Sequence, residues 1–310
     1  MNKIRLGYCC INNTLATSRD KVYTGRGVQQ KRFLLEGTRI CSELATQNCK
    51  DLYRILSWNK ANDITLFRIG SEIFPWGTKY NLQDLPNFDK IATLLRLSGD
   101  YARKYNMRLT FHPDHFVKLA SFDDAISQNS INELEMHSQI FDLMGFEPSS
   151  ENCINIHVGA VYDDHKTTMD NFCRNFERLS PGLQRRLTVE NDDKASLYTT
   201  EDLYDGVFKQ VGVPIVFDYH HHSLCNRDNV PVEDSLKLAA KTWGDTRQLV
   251  HYSESRSVEY GDATIKPQAH SDYYVNIPET FGMTLDIDLE CKMKETALLK
   301  LRRDFPGFEK

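Results

Sequence analysis

The feature that most constrains this chain is a unit that recurs from end to end. An apolar, β-rich run closes on a polar residue or cluster, and a segment of helical periodicity follows. The runs are Ile4 to Ile11, Ile64 to Ile69, Met107 to Phe111, Cys153 to Val158, Arg186 to Val189, Val213 to Phe217, Gln248 to Tyr252 and Thr284 to Leu289, eight in all. Between and after them lie amphipathic segments, Gln29 to Ala45, Phe88 to Tyr105, Ile131 to Met144, Thr168 to Leu179, Glu201 to Gln210, Val232 to Trp243 and Lys292 to Arg303. Ser130-Ile131-Asn132-Glu133 reads as a capping box for the third, and Thr199-Thr200 offer N-cap hydroxyls to the fifth. A parallel strand needs a crossover to return, so eight alternations describe a single (β/α)8 TIM barrel. No Pro-, Gly- or Ser-rich linker interrupts the pattern, and residues 1–310 are expected to form one domain.

Barrels of this kind carry their chemistry at the C-terminal ends of the strands. Strand three empties into Phe111-His112-Pro113-Asp114-His115, strand four into Ile156-His157-Val158-Gly159, and strand five into Val189-Glu190-Asn191-Asp192-Asp193. Strand six supplies Asp218 and His221, strand seven His251 and strand eight Glu290. The barrel register explains these seven residues together, which a scatter of unrelated polar strand ends would not. Imidazoles mixed with carboxylates, without thiolates, suit Mn²⁺, Zn²⁺ or Fe²⁺ better than Ca²⁺ or Mg²⁺ alone. Seven ligands exceed what one ion takes, so two or three metals bridged by Glu190 are expected, with Glu190, Asp218 and Glu290 as the catalytic carboxylates. A cluster of that kind suits in-line phosphodiester hydrolysis.

Composition bounds the reading loosely. A net charge of −5 argues against a protein that coats nucleic acid, but not against an enzyme with a local basic rim. Eight cysteines form no CxxC pair and the N-terminus has no signal-peptide core, so they are expected to be reduced core residues of a soluble intracellular protein. No run reaches the length of a membrane span. His137, between Leu134 and Phe141, is expected to pack within its helix, and His165 to cap a helix or face solvent. His220 and His222 are expected to line the site or hydrogen-bond to it, and Asp192 and Asp193 to stand behind the ligands or in a loop.

These residues also carry a specific resemblance. Gly7-Tyr8 with Asn12, Phe67-Arg68-Ile69-Gly70-Ser71, Phe111-His112-Pro113 and Ile154 to Gly159 come first. Thr188-Val189-Glu190-Asn191-Asp192-Asp193-Lys194, Val216 to His221, Val250-His251-Tyr252-Ser253, Ala269-His270-Ser271-Asp272-Tyr273 and Glu290-Cys291-Lys292-Met293-Lys294-Glu295 follow in order. Together they resemble the UV-damage endonuclease (UvdE) family, a barrel similar to endonuclease IV. The resemblance implies a repair enzyme that uses Mn²⁺ to nick damaged double-stranded DNA 5′ to cyclobutane pyrimidine dimers, 6-4 photoproducts and abasic sites. It implies metal ligands at His112, His157, Glu190, Asp218, His221, His251, His270 and Glu290. Tyr8 and Asn12 match positions at the damage pocket, and His115-Phe116 match a pair that probes the duplex before the lesion is turned out. A monomer is expected.

Three departures from the family pattern stand out. Leu249 lies two residues before His251, where the family usually has a lysine that can be carboxylated into a bridging group. Asp288 shares a strand face with Glu290, so it either replaces that carboxylate or, with Asp286, pairs with Arg68 or Arg108 inside the barrel. Lys79 stands where the family commonly has a histidine ligand, and His115 replaces a glutamine. Phosphate contacts are expected from Arg19, Lys21 and Arg26 in the insertion after strand one and from Lys194. Two other readings compete: a divalent-metal sugar isomerase or epimerase of the same barrel class, and a damaged-DNA-binding protein that has lost catalysis.

Overall fold

The structure, a computed structural model, describes residues 3–114 and 116–310. Its strands are β1 (Ile4–Cys10), β2 (Leu66–Ile69), β3 (Arg108–Phe111), β4 (Ile154–Ile156), β5 (Leu187–Glu190), β6 (Ile215–Asp218), β7 (Gln248–Tyr252) and β8 (Leu285–Leu289). They run parallel and close in sequence order into a TIM barrel, β8 pairing back onto β1. Each strand boundary lies within two residues of its expected run. Short apolar runs bounded by polar clusters leave little freedom in where a buried strand starts and stops.

The helices Phe88–Lys104, His165–Phe176, Val232–Ala240 and Glu295–Asp304 cover the outside near their expected positions. Thr199 caps Thr200–Leu203 through a full capping box with Asp202, and the chain continues helically through a π turn, Tyr204–Phe208. Two helices differ from expectation. The segment expected over Gln29 to Ala45 breaks at Gly37 (φ 59°), and the second piece runs on as Thr38–Ala61, burying Cys41, Ala45, Cys49, Leu52 and Leu56 on one face. The Ser130 capping box is not a helix start. Asp123 caps Asp124–Met144, accepting from the Ala125 and Ile126 N–H groups, while Ser130 Oγ donates to the Ile126 carbonyl and accepts from the Lys118 N–H in mid-helix. The first turns of this helix bury Ser127 and Ser130, and serines leave no hydrophobic periodicity to read.

Strand alternation sorts the side chains into two compartments. Leu6, Tyr8, Phe67, Phe111, Val189, Phe217, Val250 and Ile287 belong to the main core between barrel and helices. Residues of the other parity fill the lumen, where Leu66, Cys153, Val216 and Leu249 form a separate apolar cluster with Trp243. Beside that cluster, in register with Leu249, the fully buried Asp286 is clasped by Arg5 Nε (2.8 Å), Arg108 (2.9 Å) and Arg247 Nε (3.1 Å), and the Arg108 guanidinium lies 5.3 Å from the Trp243 ring. A buried carboxylate is tolerable only with such partners. The eight cysteines are free thiols, all buried except the half-buried Cys10. Among the described residues no helix is long and apolar enough to cross a membrane.

Candidate metal centre

Glu190, the last residue of β5, is fully buried, and the other strand ends converge on it. His112 Nε2 and His251 Nδ1 each lie 3.1 Å from its Oε2, His221 Nδ1 lies 3.1 Å from its Oε1, and His157 Nε2 is 3.9 Å away. Asn155 Nδ2 donates to Oε2, and Thr188 Oγ1 fixes that amide from behind at 3.0 Å. Glu290 stands 3.3 Å from His251 Nδ1 and 3.6 Å from His270 Nδ1, and Arg68 pairs with it. Two groups, His112/His157/Glu190 and Glu190/Asp218/His251, each bring three ligand atoms within 4.8 Å of one another. Glu190 belongs to both.

Local structure explains the aim of several ligands. Asp218 ends β6 and caps the short helix Tyr219–Leu224, its Oδ1 accepting from the His221 N–H at 2.7 Å. Its backbone is clamped in both directions by the Asn191 side chain, at 2.9 and 3.0 Å. His221 Nδ1–H donates to the Asn191 carbonyl at 2.9 Å, which leaves Nε2 as the nitrogen free to ligate. Asp192 Oδ1 stands 3.3 Å from His157 Nδ1, behind that ring, without forming a hydrogen bond to it. Ser253 Oγ bonds His270 Nδ1 at 2.7 Å.

The arrangement fits divalent cations better than it fits a self-satisfied hydrogen-bond network. Among the described residues, both ring nitrogens of His251, Glu190 Oε1 and Asp218 Oδ2 are buried without a hydrogen bond, although carboxylates crowd the ring. A buried polar atom left so costs about 1–3 kcal/mol, and a shared cation would satisfy the two carboxylate oxygens and one of the two His251 nitrogens. Electrostatics agrees. Burial pushes the Glu190 carboxyl up, but His251, His157 and the other imidazoles outweigh it and hold it well below the usual carboxylate range. Burial is likewise outweighed at Glu290, chiefly by Arg68. Burial lowers His251, yet Glu190 and Glu290 lift it to about 9. Burial pushes Asp218 up. Convergent carboxylates held down by neighbouring positive charge are what a bound dication neutralises in such a ligand set.

Several expected residues lie elsewhere. Tyr8 and Asn12 are fully buried and do not line the opening. Tyr8 is out of phase with Gly7 and Cys9, so it points to the helical layer, where its hydroxyl donates to Asn59 Oδ1 (2.6 Å) and accepts from Asn12 Nδ2 (2.9 Å). His115 lies outside the described residues, while Phe116 is 70% exposed. Asp288 is fully buried one pleat below Glu290 and belongs to neither ligand group. Its partners are Arg68, 3.7 Å from Oδ2, and the Cys9 thiol at 3.4 Å, while Asp286 takes Arg108, so the ion-pair alternative describes both. Leu249 packs into the lumen cluster. Lys79 is exposed on a flank groove of about 740 Å³ with Tyr80 and Glu135, apart from the ligands. His222 Nε2 binds the Val230 carbonyl at 3.0 Å and its ring packs on Phe217, so it anchors a loop, whereas His220 is buried with its ring 5.4 Å from His270. Arg26 pairs with Asp51 at 2.7 Å and holds the β1 insertion together, while Arg19, Lys21 and Lys194 are exposed. His137 is buried in its helix, and His165 opens a helix capped by Asp164.

Two contributors escaped the sequence reading. Asn155 was overlooked and Arg68 was considered only as an ion-pair partner, although each is in phase with the ligands of its barrel layer. The centre opens into a pocket of about 500 Å³ whose lining includes Cys10, Arg68, His157, Lys194 and His270.

Comparison with known proteins agrees with this geometry. The model of the family described as UV-endonuclease UvdE matches residues 4–310. A UV-damage endonuclease from Schizosaccharomyces pombe is 30% identical over 312 residues, covering 97% of this chain and 50% of its own length, so this chain spans half of that relative. A UV DNA damage endonuclease from Bacillus mycoides is 34% identical over 268 residues, 82% of this chain and 80% of that one. The crystal structure of SacUVDE superposes with a TM-score of 0.84 at 27% identity, over 98% of this chain and 100% of that one. Endonuclease IV from Thermus thermophilus (TM-score 0.55, 13% identity, 97% and 98% coverage) shares the fold. So does D-psicose 3-epimerase from Clostridium cellulolyticum (TM-score 0.53, 12% identity, 77% and 78% coverage). With the family model running from the first barrel strand to the last residue, across all the strand ends that meet at Glu190, the chain belongs to the UV-endonuclease UvdE family.

Proposed function

We propose that this chain is a metal-dependent endodeoxyribonuclease of DNA repair. It nicks damaged duplex 5′ to pyrimidine dimers and 6-4 photoproducts, and also acts at abasic sites. The observation that supports this reading is the sharing of Glu190 between two three-ligand groups at the C-terminal end of the barrel. His112, His157 and Glu190 would hold one ion, and Glu190, Asp218 and His251 a second, with His221, His270 and Glu290 completing the set. When bound, two or three Mn²⁺ ions (Zn²⁺ suits the same donors) would supply Lewis acidity and acidify water at neutral pH.

The rest of the chemistry falls to the chain. Glu190, Asp218 and Glu290 bring carboxylates to the centre, Asn155 holds Glu190 in orientation, and Asp192 stands behind His157 at 3.3 Å. Arg68 lines the pocket as a permanent cation and keeps Glu290 from swinging out. Arg19, Lys21 and Lys194 would meet phosphates, giving binding that weakens with salt. The partner is double-stranded DNA, bound by a monomer inside the cell.

A supercoiled plasmid, irradiated or depurinated, tests the proposal. Nicking of the damaged plasmid is expected with Mn²⁺, and Glu190→Gln should reduce it at least about a hundredfold. Full activity in that variant, or turnover of a ketohexose with no nicking, would overturn the reading. Tight binding to irradiated DNA without a nick under any divalent metal would leave a binding protein instead.

A further inference from the structure

One pleat below Glu290, the lumen holds two opposite charges that face each other without meeting. Arg68 Nε and Asp288 Oδ2 are 3.7 Å apart, and among the described residues neither buried atom makes a hydrogen bond. The other Asp288 oxygen is occupied. Oδ1 accepts from the Cys9 thiol at 3.4 Å, and burial pushes that thiol well above its ordinary pKa, so it stays a donor. Asp286, on the same strand face, shows how a settled carboxylate is held here, with Arg5 Nε, Arg108 and Arg247 Nε at 2.8, 2.9 and 3.1 Å. Asp288 has no such clasp.

Arg68 is drawn the other way by Glu290. Its Nη1 donates to Glu290 Oε1, the oxygen that stands 3.3 Å from His251 Nδ1, while Oε2 lies 3.6 Å from His270 Nδ1. A carboxylate oxygen committed to a guanidinium is a poor metal ligand, so Arg68 and a dication are rivals for Oε1, and two cations so placed repel each other. A buried guanidinium left unpaired is strongly destabilising, so it can give up Glu290 only if another carboxylate is in reach. Closing Nε···Oδ2 from 3.7 Å to a charge-assisted hydrogen bond takes a movement of about 1 Å. We propose that Asp288 is a positioning residue that takes over Arg68 when Glu290 serves as a metal ligand, so that the rival cation leaves the ligand without leaving the lumen. The inference rests on the metal-dependent nuclease reading and adds to it an arginine with two seats, Glu290 and Asp288.

Two measurements test it. Calorimetry gives the Mn²⁺ affinity of the unsubstituted protein, of Asp288→Asn, and of Asp288→Asn combined with Arg68→Met. Asp288→Asn keeps the shape and an acceptor for Cys9 but removes the charge of the second seat, so the Kd for Mn²⁺ should rise about tenfold. Adding Arg68→Met removes the rival and should return the Kd to within about twofold of the unsubstituted value; a merely structural loss would not be mended by a second substitution. In the unsubstituted protein the Arg68 Nε–H resonance, identified by its loss in Arg68→Met, is followed while diamagnetic Zn²⁺ is added. It should shift, and exchange more slowly with water, as Nε gains Asp288. A Kd unchanged by Asp288→Asn, a double variant no better than the single one, or a resonance that bound Zn²⁺ leaves in place overturns the inference and leaves the nuclease standing. Metal binding with the shift but no nicking of damaged duplex overturns the nuclease and leaves the two seats in place. A protein that binds neither ion overturns both.

Discussion

The ten histidines show how far a side chain's neighbours, rather than its type, decide its job. His251 and His137 are both fully buried, yet carboxylates lift the first to about 9, while burial pushes the second down to about 4. His137 Nδ1–H donates to the Glu133 carbonyl at 2.8 Å, and its ring meets Phe111 edge-on at 4.9 Å. A depressed folded pKa means that the unfolded chain binds the proton first as pH falls. The contribution of His137 to stability is therefore complete above about pH 6.5 and lost progressively towards pH 4, on the order of 3 kcal/mol in total. Urea unfolding followed from pH 7 to pH 4 should show that loss, and His137→Phe should flatten the curve by this amount; an unchanged slope would refute the assignment. Ligands at strand ends were legible because barrel register puts them on one face. The place of Tyr8 in the helical layer was not legible because a family match says nothing of the pleat, whereas the pairing of Asp288 with Arg68 was one of the two readings strand parity left open. Asn155 stayed hidden because an amide two residues before a ligand looks like strand polarity until its acceptor, Glu190, is seen.

Among the elements, strands were easier to read than helices, and the reason is burial. A strand buried on both sides shows an unbroken apolar run, whereas Asp124–Met144 begins on serines and was seen only from Ile131 onwards. Its C-terminal end makes a contact that no periodicity reveals. A Cβ on Gly99 of the Phe88–Lys104 helix would lie 1.9 Å from the Met144 carbonyl oxygen, so the two helices meet backbone to backbone there. Gly to Ala in a free helix gains up to about 1 kcal/mol. Gly99→Ala should instead destabilise, by about 1–3 kcal/mol, because the obstacle is main chain and cannot rotate away. Chemical denaturation reads this directly, and a stabilised variant would mean that the helices separate more freely than the packing allows.

At the scale of the whole molecule, the barrel was legible from alternation alone, while the loops were not, since nothing periodic fixes the path that leaves Lys79 on a flank groove. The convergent carboxylates make the fold's stability depend on what neutralises them. A ligand that binds only the folded state stabilises by mass action, about 2.7 kcal/mol at a hundred times its Kd. At roughly 2–4 °C per kcal/mol for a large domain, Mn²⁺ should raise Tm by about 5–10 °C, and chelation should reverse the shift. Glu190→Gln should be largely indifferent to both treatments. A metal-independent Tm in the unsubstituted protein would contradict the metal centre itself.

Beneath that centre, the arginines around Asp286 and the packed cluster of Leu66, Val216, Leu249 and Trp243 fill the lumen among the described residues. Arg68, His157, Lys194 and His270 line the opening on the other side. In the proposed nuclease a duplex laid across that opening would act as a cork. The water that hydrolysis consumes would have to be inside before the DNA settled, and each turnover would have to lift the cork to refill.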